Sequence, residues 1–188
     1  MAANIPLFRL QNGNNIVEGN AKISNLETPD FDVNADISLK LDELITFVPD
    51  SLINKMTGTV TANIHSKGSI NLDSLMVELY PLIFKNSSIN MTLDNVCLQF
   101  PDKLMNMDNI SAIISLNDDK LMIDKFSTVY NGLSFKMDST IVENIYKAVL
   151  LNKKEELYVK TQIEIGDFFY DDFQHLLAIG STDTTTDS

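Results

Sequence analysis

Along most of this chain, apolar and polar residues alternate one for one. In GTVTANIHSKGSI, Gly58 to Ile70, the positions Val60, Ala62, Ile64, Ser66, Gly68 and Ile70 are apolar or small, while Thr59, Thr61, Asn63, His65 and Lys67 are polar. Successive side chains of a strand point to opposite faces, so a period of two predicts a half-buried β-strand. The pattern recurs at Val17, Gly19, Ala21 and Ile23, then at Val33, Ala35, Ile37, Leu39 and Leu41. It continues at Ile89, Met91 and Leu93, at Val96, Leu98 and Phe100, and at Ile110, Ala112, Ile114 and Leu116. Leu121 and Ile123 follow, then Leu133, Phe135, Met137 and Ile141, and a late strand at Leu157, Val159, Ile163 and Ile165. The phase slips by one residue at Asp94 and Asn95, which predicts a bulge or a tight turn there. NDDK at Asn117 to Lys120 predicts a turn, and Asn131 with Gly132 predicts a hairpin, because a type I′ turn needs positive φ at both central positions. Strands so close in sequence predict an antiparallel meander.

Other segments leave this rhythm. Leu41 to Met56, LDELITFVPDSLINKM, carries Leu44, Ile45, Val48, Leu52, Ile53 and Met56 at helical spacing, with Asp42 as N-cap and Pro49 interrupting the middle. Asp73 to Phe84, Val142 to Leu151 and Asp167 to Ile179 read as further short helices, the last with Phe169, Phe173, Leu176 and Leu177 on one side. The junctions beginning at Ser38 (SLKLDELITF), Ser69 (SINLDSLMVEL) and Gln162 (QIEIGDFFYDDF) look alike: a strand ending in an apolar pair, an Asp, then a short apolar helix. Leu41 and Leu72 lie about 31 residues apart, a spacing found in repeat architectures. An Asp capping any helix that follows a strand would give the same resemblance. The expected fold is therefore mainly β with a few short helices: a curved antiparallel sheet, elongated or groove-like, with strand-to-helix repeats.

Apolar residues at 44% and charged residues at 21% are ordinary globular values, so residues 1–179 are expected to form one β-rich domain, complete or cut from a longer protein. The tail at 180–188 ends in STDTTTDS and is expected to be disordered. A net charge of −12 spread along the chain argues against nucleic acid as a partner, since that affinity rests on clustered Lys and Arg, and it disfavours an anionic membrane surface. Cys97 is the only cysteine, which leaves no intramolecular disulfide and no cysteine-built zinc site. No run of about 18 apolar residues is present. His65 and His175 are far apart and read as solvated side chains. The carboxylate pairs Asp30/Asp32, Asp118/Asp119 and Asp171/Asp172 lack the glycine and spaced oxygens of a calcium loop. No phosphate loop, nucleophile elbow, HExxH or Cys/His pair occurs, so no catalytic residue, metal or cofactor is expected. The sequons at Asn86, Asn90 and Asn109 matter only in a eukaryotic secretory route.

The order of these features resembles the carboxy-terminal region of AsmA-like proteins. LKLDELITFVPDSLINKM runs into GTVTANIHSKGSINL; SSINMTLDNVCLQFP follows, then NISAIISLNDDKLMIDKFSTVYNGLSFKMDSTI and a closing helix and strand. The resemblance covers roughly Ser38 to Leu177, and the stretch Gly58 to Leu72 with the hairpin Leu121 to Ile141 carries most of it. AsmA-like proteins belong to the envelope of bacteria with two membranes and look related to the repeating β-groove group of bridge-like lipid carriers. What the resemblance implies is a curved sheet whose concave apolar face shelters acyl chains, tied to phospholipid transport and outer-membrane homeostasis. It implies a periplasmic location, anchored to a membrane through residues outside this chain. The family's amino-terminal anchor has no counterpart in these residues.

The residues expected to face the groove are Val60, Ala62, Ile64, Ile89, Met91, Leu93, Ile110, Ile114, Leu133, Phe135 and Met137. Two readings follow from the same alternation. In one, the chain is a non-enzymatic lipid-binding or lipid-transport module whose partner is a phospholipid or other acyl lipid. In the other, these residues are a fully packed core, and the protein is an interaction or scaffold domain that binds envelope proteins by its sheet edges or acidic surface.

Overall fold

The computed structural model describes residues 2–25, 28–69, 86–101, 106–117, 119–145 and 156–167. The alternation forms β1 (Ala2–Asn12), β2 (Asn15–Ser24), β3 (Asp30–Lys40), β4 (Lys55–Ser69), β5 (Ser87–Gln99), β6 (Asn106–Asn117), β7 (Lys120–Tyr130), β8 (Leu133–Glu143) and β9 (Tyr158–Ile165). Among the described residues they make one nine-stranded antiparallel sheet in the order β1 to β9, in which each strand bonds its neighbours in sequence. The sheet is curved and is not closed into a barrel.

The turns are where turn chemistry demands them. Asn131 and Gly132 both have positive φ, +46° and +88°, and join Tyr130 to its partner Leu133. Backbone and side chain of Asn131 also hold Asn106 at the start of β6: Asn131 N–H donates to the Asn106 carbonyl at 3.1 Å, and Asn106 N–H donates to Asn131 Oδ1 at 3.2 Å. Asp119, at φ +63°, turns β6 into β7 and pairs Asn117 with Lys120.

The phase slip at Asp94 and Asn95 is a bulge inside one continuous strand, with Asn95 at φ +49°. Bulges recur at the same kind of sequence. Two polar residues, the first an Asp, stand between residues of the apolar face in LDNV (Leu93–Val96), MDNI (Met107–Ile110), IDKF (Ile123–Phe126) and MDST (Met137–Thr140). Register shifts fall at each of these places. One extra residue lets the strand return its next apolar side chain to the same face, and it adds bend and twist. At Met137–Thr140 the extra residue moves Ile141 to the polar face, opposite Met122, which corrects its expected grouping with Met137.

The helical reading of Leu41 to Met56 is corrected. Helix α1 covers only Leu41–Leu44 and passes into a 3₁₀ turn at Ile45–Phe47. Val48, preceding Pro49, is extended at φ −101° and ψ 129°, as the proline ring requires of its neighbour. Lys40, not Asp42, stands at the N-cap, with no side-chain capping bond, and Met56 lies in β4. Val142 and Glu143 end β8, so the helix expected from Val142 does not start there. The helix expected over Asp73 to Phe84, residues 146–151 of that over Val142 to Leu151, nearly all of that over Asp167 to Ile179, two of the strand-to-helix junctions in part, His175, Asp118, Asp171, Asp172 and the tail lie outside the described residues.

A clasp closes the start of the sheet. Glu43 of α1 accepts from Asn14 N–H at 2.8 Å, from Asn14 Nδ2 and from Asn15 Nδ2 at 3.1 Å, while Asn15 Oδ1 accepts from Lys40 N–H at 2.8 Å. These bonds to the charged form hold the Glu43 carboxyl below its ordinary pKa, the Asn14 side chain contributing most.

Candidate functional site: the apolar face of the sheet

Register places like residues opposite one another in every strand. One row runs Phe8, Gly19, Ala35, Ile64, Ile89, Leu116, Leu121, Val142, Val159 and crosses all nine strands. Beside it lie Leu10, Val17, Ile37, Ala62, Met91, Ile114 and Ile123, and then Leu39, Val60, Leu93, Ala112, Phe126, Met137 and Ile163. Past the bulges, Met56, Leu98, Met107, Tyr130 and Leu133 form a further row. At about 4.8 Å per strand, nine strands give a face about 38 Å across.

Every residue expected at the groove lies on this one face. Ala62, Ile110 and Leu133 are buried; Val60, Ile64, Ile89, Met91, Leu93, Ile114, Phe135 and Met137 are half-buried. The expected set omitted the contributions of β1 to β3, β7 and β9. Phe31, Val96, Ala112 and Leu116 are among the most buried residues on the face, at 8%, 3%, 2% and 8% exposure. The signal that would have found three of them is the register itself, because Val96 pairs with Ile110, Ala112 with Leu93 and Leu116 with Ile89; Phe31, opposite Ile23 and Gly68, has no partner in the set.

Burial falls off toward the two edges. Ile5 and Leu10 of β1, and Val159, Ile163 and Ile165 of β9, are 44%, 69%, 50%, 54% and 48% exposed. Among the described residues no large side chain is fully buried. Burial is deepest at the centre of the face, at Val96, Ile110 and Ala112, and shallowest at its two edges.

The few hydroxyls on the face are consumed within the sheet. Ser87 Oγ donates to Ser66 Oγ at 2.8 Å, Thr128 Oγ1 donates to the Asp108 carbonyl at 3.2 Å, and Thr140 and Thr161 share a hydrogen bond at 2.5 Å. No buried side-chain polar atom among the described residues lacks a partner. The face thus presents methyl and methylene groups to whatever covers it, with no polar group left requiring water.

The opposite face is polar and paired laterally. Asn34 Nδ2 donates to Asn20 Oδ1 at 3.1 Å, His65 Nδ1 lies 2.6 Å from Asn34 Oδ1, and Asn63 donates to Asp36. Asp32 lies 3.9 Å from both His65 Nδ1 and Lys67 Nζ. Lys120–Glu143 at 3.2 Å and Lys136–Glu164 at 3.4 Å continue the pattern, each worth about 0–1 kcal/mol. A shallow cleft of about 420 Å³ lies over Ile113 between Asp94, Lys125, Lys136 and Asp138. Cys97 pairs with Thr57 on the polar side of β5 and is a free thiol. Among the described residues no group of three or more His, Cys, Asp or Glu could hold a metal ion, and no helix is long and apolar enough to cross a membrane.

Comparison of the chain with family models, with curated proteins and with solved structures returns no match. The functional reading therefore stands on the geometry of the two faces.

Proposed function

We propose that this protein is a non-enzymatic lipid-binding module that shelters acyl chains on the apolar face of its sheet and passes lipid along it. The observation that carries the reading is the uninterrupted apolar register across nine strands, with its hydroxyls satisfied internally and its large side chains left short of full burial. Binding of this kind needs no chemical motif. Each methylene moved from water to such a face contributes about 0.8 kcal/mol, so an acyl chain is held by length and not by a particular residue. Met56, Met91, Met107 and Met137 on the face give it side chains that repack around chains of different shape. With the resemblance to AsmA-like proteins, the setting proposed is the bacterial envelope. There a phospholipid would be the ligand, and residues outside this chain would supply the periplasmic anchor.

The test is native mass spectrometry with lipid extraction on protein from a bacterial host, followed by Ile64→Asp and Phe135→Asp. Stoichiometric phospholipid on the wild type, lost from both variants while circular dichroism still reports a sheet, is the expected result. A clean protein mass with no uptake from liposomes, or unfolding of both variants, would show that these side chains are ordinary core.

A further inference from the structure

The two edges of the open sheet are built differently. β1 carries Pro6, which has no N–H to donate, and a register shift between Ile5 and Phe8, both of which blunt an edge. β9 carries neither proline, glycine nor an extra residue of its own, and each of its residues is exposed. Its inner edge is bonded to β8, and among the described residues it ends the order of strands. An intact extended strand at an open edge is a template for a further strand.

The residue sequence of β9 says which strand fits. Val159, Ile163 and Ile165 lie on the apolar face, opposite Val142, Met137 and Phe135, and Thr161 joins them there through Thr140. Lys160, Gln162 and Glu164 lie on the polar face, opposite Ile141, Asp138 and Lys136. In YVKTQIEI the charges sit symmetrically about Gln162. If two copies of β9 run antiparallel about a two-fold axis through Gln162, Lys160 of each stands opposite Glu164 of the other. In the same register Val159 stands opposite Ile165 and Thr161 opposite Ile163, so apolar meets apolar or threonine, and opposite charges meet twice. A slip of one residue would set Lys160 against an apolar-face residue, and a slip of two residues would remove both charge pairs.

We propose that β9 is a self-association edge, pairing antiparallel with β9 of a second copy to join two sheets into one. A two-fold axis normal to the sheet keeps both apolar faces on the same side. The row ending at Val159 in one protomer is then continued by the partner, and the exposed Val159, Ile163 and Ile165 gain neighbours. The interface is isologous and closes at two copies, since β1 cannot extend it.

Sedimentation equilibrium of the wild type over a range of concentrations should fit a monomer–dimer equilibrium. Lys160→Glu turns two attractive cross-strand pairs into repulsive ones and should weaken the dimer about tenfold. Glu164→Lys does the same and also reverses the ion pair with Lys136 of its own chain, so it is made together with Lys136→Gln, both alone and in the double reversal. The double reversal exchanges the charges and should restore the wild-type dissociation constant to within about threefold. Gln162→Cys, in a Cys97→Ser background, should form a covalent dimer with oxidised glutathione. That variant tests the axis without touching the charges. A monomer at all concentrations, masses climbing beyond a dimer, single reversals that leave the dimer intact, or a double reversal that stays monomeric while circular dichroism shows a folded sheet would each overturn the proposal.

Discussion

Gly58 offers a quantitative test of how the bulge in β5 is accommodated. The bulged pair Asn95 and Val96 lies against Gly58 of β4, whose φ is +104°. A Cβ at this position would lie 2.6 Å from the Asn95 carbonyl oxygen and 2.6 Å from Val96 Cα, both backbone atoms that cannot rotate away. Gly58→Ala therefore meets a conformational cost of about 1–3 kcal/mol and a backbone contact besides, offset by about 0.4–1 kcal/mol from the stiffer unfolded chain. A net loss of about 2–3 kcal/mol is expected, read as a fall of about 4–12 °C in Tm for a chain of this size. Gly132→Ala supplies the control, because Gly132 also has positive φ, at +88°, yet a Cβ there meets nothing within 4 Å. It should lose about 1 kcal/mol, about 2–4 °C. Urea unfolding of the two variants, with slopes compared to exclude a change in compactness, separates strain from contact. Equal losses would refute the argument that the close approach of β4 to the bulge requires glycine, as would a loss below about 0.5 kcal/mol for Gly58→Ala.

Two further outcomes follow from contacts described above. Glu43 is held below its ordinary pKa, so its clasp stabilises the fold fully above the unfolded-state value; that contribution is lost as pH falls below about 4.3 through the folded-state value. Glu43→Gln should lower the urea midpoint at neutral pH and flatten its decline in acid, and an unchanged acid profile would exclude the clasp. Asn131→Ala removes both the acceptor for Asn106 N–H and a residue tolerant of positive φ, and should cost about 1–2 kcal/mol by urea unfolding. Asn131→Asp keeps both features and should stay within about 0.5 kcal/mol of wild type.

The sheet was legible in the sequence wherever alternation ran unbroken, as in Val60 to Ile64, and wherever turn chemistry was explicit, as at Asn131 and Gly132. Local breaks were harder. The bulge at Asp94 and Asn95 announced itself by two adjacent polar residues between Leu93 and Val96. The same signature at Asp108–Asn109, Asp124–Lys125 and Asp138–Ser139 marks register shifts too, and reading it throughout would have placed Ile141 correctly. β1 was obscured because Pro6 and the shift before Phe8 split its apolar residues into two phases. The stretch after Leu41 read as helix because helical spacing is a weak constraint over so few residues. Pro49 decided the outcome by fixing Val48 in an extended conformation, leaving Phe47 and Leu52 71% and 60% exposed. Which side chains face one another across strands is a property of pairing, and pairing is not written in any single strand.

Because each described strand is bonded to those before and after it in the chain, this sheet behaves as a ruler with one graduation per strand. A hairpin inserted or deleted between two neighbours would change its length by about 10 Å and leave the in-and-out phase of every other strand untouched. Assembly shares that economy: each strand finds its partner one connection away in the chain, so the sheet can grow from one end as the chain emerges, without waiting for remote segments.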